Sequence, residues 1–248
     1  MAKNILLLFF FFALFNCKEN IHLKSKGVQK DIVLNQASKN SDSTQHIVIS
    51  NGVEEEFIDS LNVGIRGKFK VDFKKFRSDS VYVVLKFYEK KNTKWILKQD
   101  LIFEKDGIIS CDVQLEDFNN DGLNDLTFKS NVAARGANEI RKLLFFDKKK
   151  GKLNVIRNSD SYPNLRYNKK LNCIDSQAFY AGSTTYFLKI EKDSLREFAS
   201  ISSLDESLEI NLIDKKGNRK LLERHSIDHE DVYIRYSNYK PLEVLEGE

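Results

Sequence analysis

The chain has 248 residues, with 40 Lys and Arg against 36 Asp and Glu and a formal net charge of +4. At 41% hydrophobic and 11% aromatic it is too apolar to stay disordered, and it is long enough to close a domain around a real core. So small a positive charge is no nucleic-acid footprint, and nucleic acid is set aside as a partner.

Met1-Ala2-Lys3-Asn4 is a short basic start, and Ile5–Phe15 is an unbroken apolar run. That run is too short to cross a bilayer, which takes ~20 residues. It ends in Leu14-Phe15-Asn16-Cys17. These residues resemble a bacterial lipoprotein signal peptide with a relaxed lipobox, in which Asn16 replaces the usual Gly or Ala. The resemblance implies a signal peptide over residues 1–16, cleavage before Cys17 and acylation of Cys17. Two or more acyl chains give stable anchoring where one is marginal. The expected location is the outer membrane, on its periplasmic or its surface side. The competing reading is an ordinary secretory signal with a chance cysteine, but the residues before Cys17 supply no small-x-small cleavage site. Residues 17–45 are rich in Lys, Asn, Ser and Gln and poor in large apolar residues, so they read as a flexible tether.

The folded domain is expected over residues 46–248. His46–Ser50 opens it, Gly67–Phe73 follows, and Val81–Glu89 is the strongest strand signal, being β-branched and aromatic. Lys90–Thr93 turns the chain into Lys94–Phe103. Ile108–Leu115 alternates apolar and polar residues and leads into an Asp/Asn-rich loop, which Leu126–Ser130 leaves. Lys142–Asp147 and Lys152–Ile156 form a hairpin. Asn172–Ala178 is a further strand. Thr184–Glu191 pairs with Leu195–Ser202, and Leu208–Ile213 with Arg219–Arg224. No segment sustains a 3.6-residue apolar period. About a dozen short strands with turns roughly every 8–12 residues predict an all-β antiparallel meander, propeller-like or a sandwich, with the loop between two strands.

That loop, Asp117–Asp125, reads D-F-N-N-D-G-L-N-D. Oxygen-bearing side chains fall at positions 1, 3, 5 and 9: Asp117, Asn119, Asp121 and Asp125. Gly122 permits a sharp turn, and Leu123 at position 7 offers a backbone carbonyl. This is the front half of a Ca²⁺ loop, since Ca²⁺ takes about 6–8 oxygens and tolerates flexible ligands better than Mg²⁺ does. Two features depart from an EF-hand. Position 12 is Phe128 rather than a bidentate Glu, and both flanks have strand periodicity rather than helical. The plain alternative is an Asx/Gly turn of a hairpin. The ligands lie in a strand connection rather than at a pocket rim, which suits holding a turn better than catalysis.

Asp117–Leu126 resembles the Ca²⁺ loop of FG-GAP and related β-propeller repeats. The longer run, with Gly136, Leu144-Phe145-Phe146-Asp147, Gly151-Lys152-Leu153, Ser176, Tyr186 and Leu195, resembles a family of bacterial periplasmic lipoproteins with a propeller-like, calcium-binding domain. Some of that family inhibit peptidoglycan-cleaving hydrolases or confer immunity to them. The resemblance implies metal ligation by Asp117, Asn119, Asp121 and Asp125. It implies a binding role with a protein partner, a cell-wall hydrolase. An adhesion or glycan-binding surface lipoprotein is the alternative.

The remaining features are read as structural. Cys111 and Cys173 are expected to be buried thiols ahead of a disulfide. Lys74-Lys75, Lys90-Lys91 and Lys148–Lys150 each sit beside a predicted strand end and read as solvated turn tips rather than an anion-binding patch. His225 and His229 would share a helical face, but their charged surroundings favour a solvated segment over a metal pair. There is no G-x-S-x-G elbow, P-loop or H-E-x-x-H, and no carboxylate pair stands out. A non-enzyme is expected.

Overall fold

The computed structural model describes residues 52–107, 109–239 and 242–244. The signal peptide, Cys17, the tether and the His46–Ser50 strand lie outside the described residues. The chain is all-β and antiparallel. The first sheet is β1 (Val53–Asp59), β2 (Phe69–Arg77), β3 (Val81–Lys91) and β4 (Lys94–Glu104), side by side in chain order. The second repeats that order with β5 (Gln114–Glu116), β6 (Asp125–Ala133), β7 (Asn138–Asp147) and β8 (Lys152–Val155). The third runs from β9 (Arg166–Asn168) through β10 (Cys173–Phe179), β11 (Ser183–Glu191), β12 (Ser194–Leu204) and β13 (Ser207–Ile213) to β14 (Arg219–Ser226). A two-stranded ribbon, β15 (Tyr236–Tyr239) with β16 (Leu242–Val244), follows.

Strand periodicity explains how the sheets stack. In β2 the residues Phe69, Val71, Phe73 and Lys75 are buried, and their neighbours are not. They meet Val83, Leu85 and Phe87 of β3 and Leu126, Phe128, Leu144 and Phe146 of the second sheet in one core. Leu143 and Phe145 point the opposite way, into a second core with Ile174, Leu188 and Leu195 of the third sheet. The continuous run Leu143-Leu144-Phe145-Phe146 therefore reflects a strand covered on both faces. Phe69, Phe73, Phe87, Phe128 and Phe146 are all at most 2% exposed, and each such burial contributes about 1.5–3 kcal/mol. A third core joins Phe187, Ala199, Ile201, Leu208 and Ile210 to Tyr236. There Arg235 donates from Nε to Asp175 Oδ1 at 2.8 Å, and from its terminal nitrogen to the Asn164 carbonyl at 2.8 Å.

Several expectations need correction. Lys74-Lys75 is not a solvated turn tip, since both residues lie inside β2 and Lys75 is buried. Ile109–Val113 is not a strand; only Gln114–Glu116 pairs with β6. Side chains supply most of the partners of this backbone, and one β6 amide, that of Lys129, donates to the Cys111 carbonyl at 2.6 Å. Lys75 and Lys105 each donate to the Ile109 carbonyl at 3.0 Å, and Glu55 accepts the Cys111 amide at 2.7 Å. Asp112 takes a left-handed φ of 41°, and Arg141 donates to its carboxylate. Strand β1 (V-E-E-E-F-I-D) has no match in the sequence reading, because its acidic run hides the alternation; Glu55 is held by Lys75 at 2.9 Å. His225 belongs to β14 and His229 opens a 3₁₀ turn, so the two do not share a helical face.

Cys111 and Cys173 are unpaired, and they sit in different cores. Burial pushes both thiols up to about 12. Thiols of that kind are inert structural residues rather than nucleophiles. Among the described residues no helix is long and apolar enough to cross a membrane.

Candidate metal loop

Asp117–Asp125 joins β5 to β6, and its shape is set by side chains folding back onto their own backbone. Asp117 accepts the Asp121 amide at 3.1 Å on one oxygen and the Gly122 amide at 2.8 Å on the other. Asn119 Oδ1 also accepts from the Asp121 amide, at 3.0 Å, and Asp121 Oδ1 accepts the Leu123 amide at 2.9 Å. Asn120 (φ 57°) and Gly122 (φ 80°) supply the two left-handed residues that close the turn. Alternate side chains thus turn their oxygens into the loop. Each carboxylate oxygen keeps lone-pair capacity beyond these contacts.

Asp125 differs from the other three. It is fully buried at the head of β6. Its Oδ2 accepts the Phe118 amide at 3.1 Å and its Oδ1 the Phe146 amide at 2.8 Å. One carboxyl therefore ties the start of the loop to the end of β7. Burial pushes this carboxyl up to about 8, against the two amide donors, and the Asp121 and Asp117 charges push the same way. Leu123 packs its side chain on the first core.

The loop is fastened to the first sheet. The Gly64 amide donates to the Asn124 carbonyl at 3.0 Å, and Asn124 Nδ2 to the Asn62 carbonyl at 3.1 Å. Asp59 shapes the receiving turn by accepting the amides of Leu61, Asn62 and Val63 at 3.2, 2.8 and 2.8 Å. Gly64 has φ 58°, and a Cβ there would lie 2.8 Å from the Phe146 ring. Gly64, Asn124 and Phe146 belong to the site, and the sequence reading did not assign them to it. Gly64 next to the Asx residues was a visible turn signal, but nothing in sequence pairs it with a residue 82 positions away.

Oxygen donors with no imidazole or thiolate suit a hard cation such as Ca²⁺ or Mg²⁺ rather than Zn²⁺. Three carboxylates and an amide oxygen on one short connection fit that class. Among the described residues no group of three His, Cys, Asp or Glu side chains converges closely enough to be recognised as a metal site. Phe118 and Asn119 do border a cleft of about 220 Å³, with Tyr167, Asn172, Leu188 and Lys189 opposite. The expectation that the loop lies away from any pocket rim is corrected to that extent. The lining residues of this cleft include neither carboxylate nor imidazole. A wider groove of about 820 Å³ lies between β4 and the second sheet, near the Lys142–Asp160 ion pair at 2.7 Å.

No family model and no curated protein matches the chain. Among solved structures, a Xanthomonas type IV secretion system related protein aligns with a TM-score of 0.44 and 13% identity, over 68% of this chain and 95% of that one. A likeness of that strength assigns neither a family nor a function.

Proposed function

We propose that this chain is a lipid-anchored envelope protein that works by binding, and that Asp117, Asn119, Asp121, the Leu123 carbonyl and Asp125 hold one structural Ca²⁺. The observation that carries this reading is the loop: alternate oxygen donors folded inward, beside a buried carboxyl whose burial alone disfavours its charge. A cation would supply the missing countercharge for Asp125 and relieve the repulsion that Asp117 and Asp121 add. The ion's task is to hold the β5–β6 connection against the Asn62–Gly64 turn, so the loop serves the surface around it rather than a reaction. Anchoring through Cys17 rests on the lipobox-like Leu14–Cys17. The partner class that the family resemblance favours is a cell-wall hydrolase, inhibited by binding.

Thermal melting in Ca²⁺ and in chelator tests the ion. An ion that binds only the folded chain stabilises it by about 2.7 kcal/mol at a hundredfold excess over Kd. In a domain of this size that raises Tm by roughly 5–10 °C. We expect this rise in the wild type and its loss in Asp121→Ala. Equal Tm values with and without Ca²⁺ would reduce the loop to a decorated turn.

A further inference from the structure

The lysine clusters that look separate in sequence are not separate in space. The β3–β4 hairpin carries Lys90, Lys91 and Lys94 around its turn, and the β7–β8 turn carries Lys148, Lys149 and Lys150; all six are exposed. Two hydrogen bonds join the strands that leave these turns. Gln99 Nε2 donates to the Leu153 carbonyl at 2.9 Å, and the Leu153 amide donates to Gln99 Oε1 at 2.6 Å. Gly151 also sits against the Phe69 ring, and Phe69 pairs with Glu89 beside Lys90. Both basic turns therefore project from one end of the molecule.

The acidic groups nearest them are already engaged. Glu89 contacts Lys98 at 3.3 Å and Lys68 at 3.6 Å. Asp147 accepts the amides of Lys149 and Lys150 within its own turn and lies 3.5 Å from the Lys150 ammonium, which it partly neutralises. The six lysine ammonium groups outnumber these two carboxylates, in a chain whose whole net charge is only +4. The same hairpin exposes apolar side chains: Ile96 is 42% and Leu97 48% exposed, beside the half-buried Trp95. Lys90 and Lys70 lie over the Trp95 ring at 5.6 and 5.9 Å.

We propose that this end docks on a membrane surface bearing anionic lipid. Lysine ammonium groups on long stems match headgroup phosphates, while Trp, Ile and Leu enter the interfacial layer beneath them. A soluble polyanion would satisfy the lysines but leave Ile96 and Leu97 in water, so the apolar residues favour the bilayer. Such docking requires neither Ca²⁺ nor the acyl anchor, and would hold the domain against the surface rather than at the end of a tether.

The test uses residues 48–248, which form one unit by themselves and include all the strands named here. Trp95 is the only tryptophan, so its emission reports directly on this hairpin. In chelator, the chain is titrated with phosphatidylcholine vesicles with and without phosphatidylglycerol, and with heparin as a soluble polyanion. We expect a blue shift and co-sedimentation only with phosphatidylglycerol, weakened by salt. Each lysine near an anionic surface contributes about a fivefold gain in partitioning, so K148E/K149E/K150E should lower it by about a hundredfold or more. L97S should reduce the blue shift while heparin binding stays intact. Circular dichroism checks that both variants keep the wild-type strand signal. Binding to heparin with no blue shift on any vesicle would replace the membrane with an anionic polymer, and phosphatidylglycerol-independent sedimentation would overturn the proposal outright.

Discussion

Asp125→Ala should remove about 2–6 kcal/mol of stability in chelator, measured from the urea midpoint. Two buried amides, those of Phe118 and Phe146, lose their acceptor together, and an orphaned buried donor costs about 1–3 kcal/mol. Against a total of about 5–15 kcal/mol, that is a large share. Asp125→Asn keeps one carbonyl oxygen in place, accepts one of the two amides, and should cost roughly half as much. Asp121→Ala in chelator should cost far less, because its contact lies in an exposed turn. This ordering separates two roles within one loop. Asp125 is needed by the fold whether or not an ion is present, whereas Asp121 matters mainly for the ion. An Asp125→Ala variant within about 1 kcal/mol of wild type would show that other groups satisfy those amides.

Gly64→Ala is the second large effect, expected at about 2–4 kcal/mol. The added methyl would meet the Phe146 ring at 2.8 Å. The ring has little room to yield: it is 2% exposed and packs edge-on against Phe69 at 4.8 Å. Overpacking of this kind costs about 1–3 kcal/mol. The left-handed φ of 58° adds backbone strain for any residue with a Cβ. Gly122→Ala is the control, since its φ of 80° is also left-handed but nothing lies within 4 Å of the new methyl. It should show only the backbone cost, about 1 kcal/mol. Equal losses in the two variants would mean that the Phe146 contact is not limiting.

How far the fold was legible depended on whether a strand carries its pattern in its own side chains. Val81–Lys91 and Ser194–Leu204 alternate or are β-branched, and both were placed to within a few residues. Val53–Asp59 was missed because Glu55 faces inward, which makes sense only beside Lys75 of the next strand. Ile109–Val113 was misassigned for the converse reason. Cys111 and Val113 do face the core, but the backbone here bonds to Lys75 and Glu55, groups remote in sequence, as well as to Lys105 four residues before Ile109. Short range explains the candidate site equally well. The contacts among Asp117, Asn119, Asp121, Gly122 and Leu123 span at most five residues, and they follow from the Asx and Gly spacing. The second half of the site, where Asp125 meets Phe146 and Asn124 meets Gly64, depends on how β7 and the first sheet pack around the loop. The lysine clusters show the same limit: Lys90-Lys91 and Lys148–Lys150 are legible as turn tips, but their meeting is not, and Lys74-Lys75 lies inside β2 because Lys75 finds Glu55 on the neighbouring strand.

The central claim is that Asp117–Asp125 binds a cation. Isothermal titration of Ca²⁺ into metal-free protein measures this directly. We expect one ion per chain with a Kd on the order of 10⁻⁴ M, since the bidentate Glu of a tight loop is replaced by Phe128. Asp117→Asn combined with Asp121→Asn should abolish the heat while leaving the fold intact. A wild-type titration with no heat beyond dilution at millimolar Ca²⁺ would contradict the account.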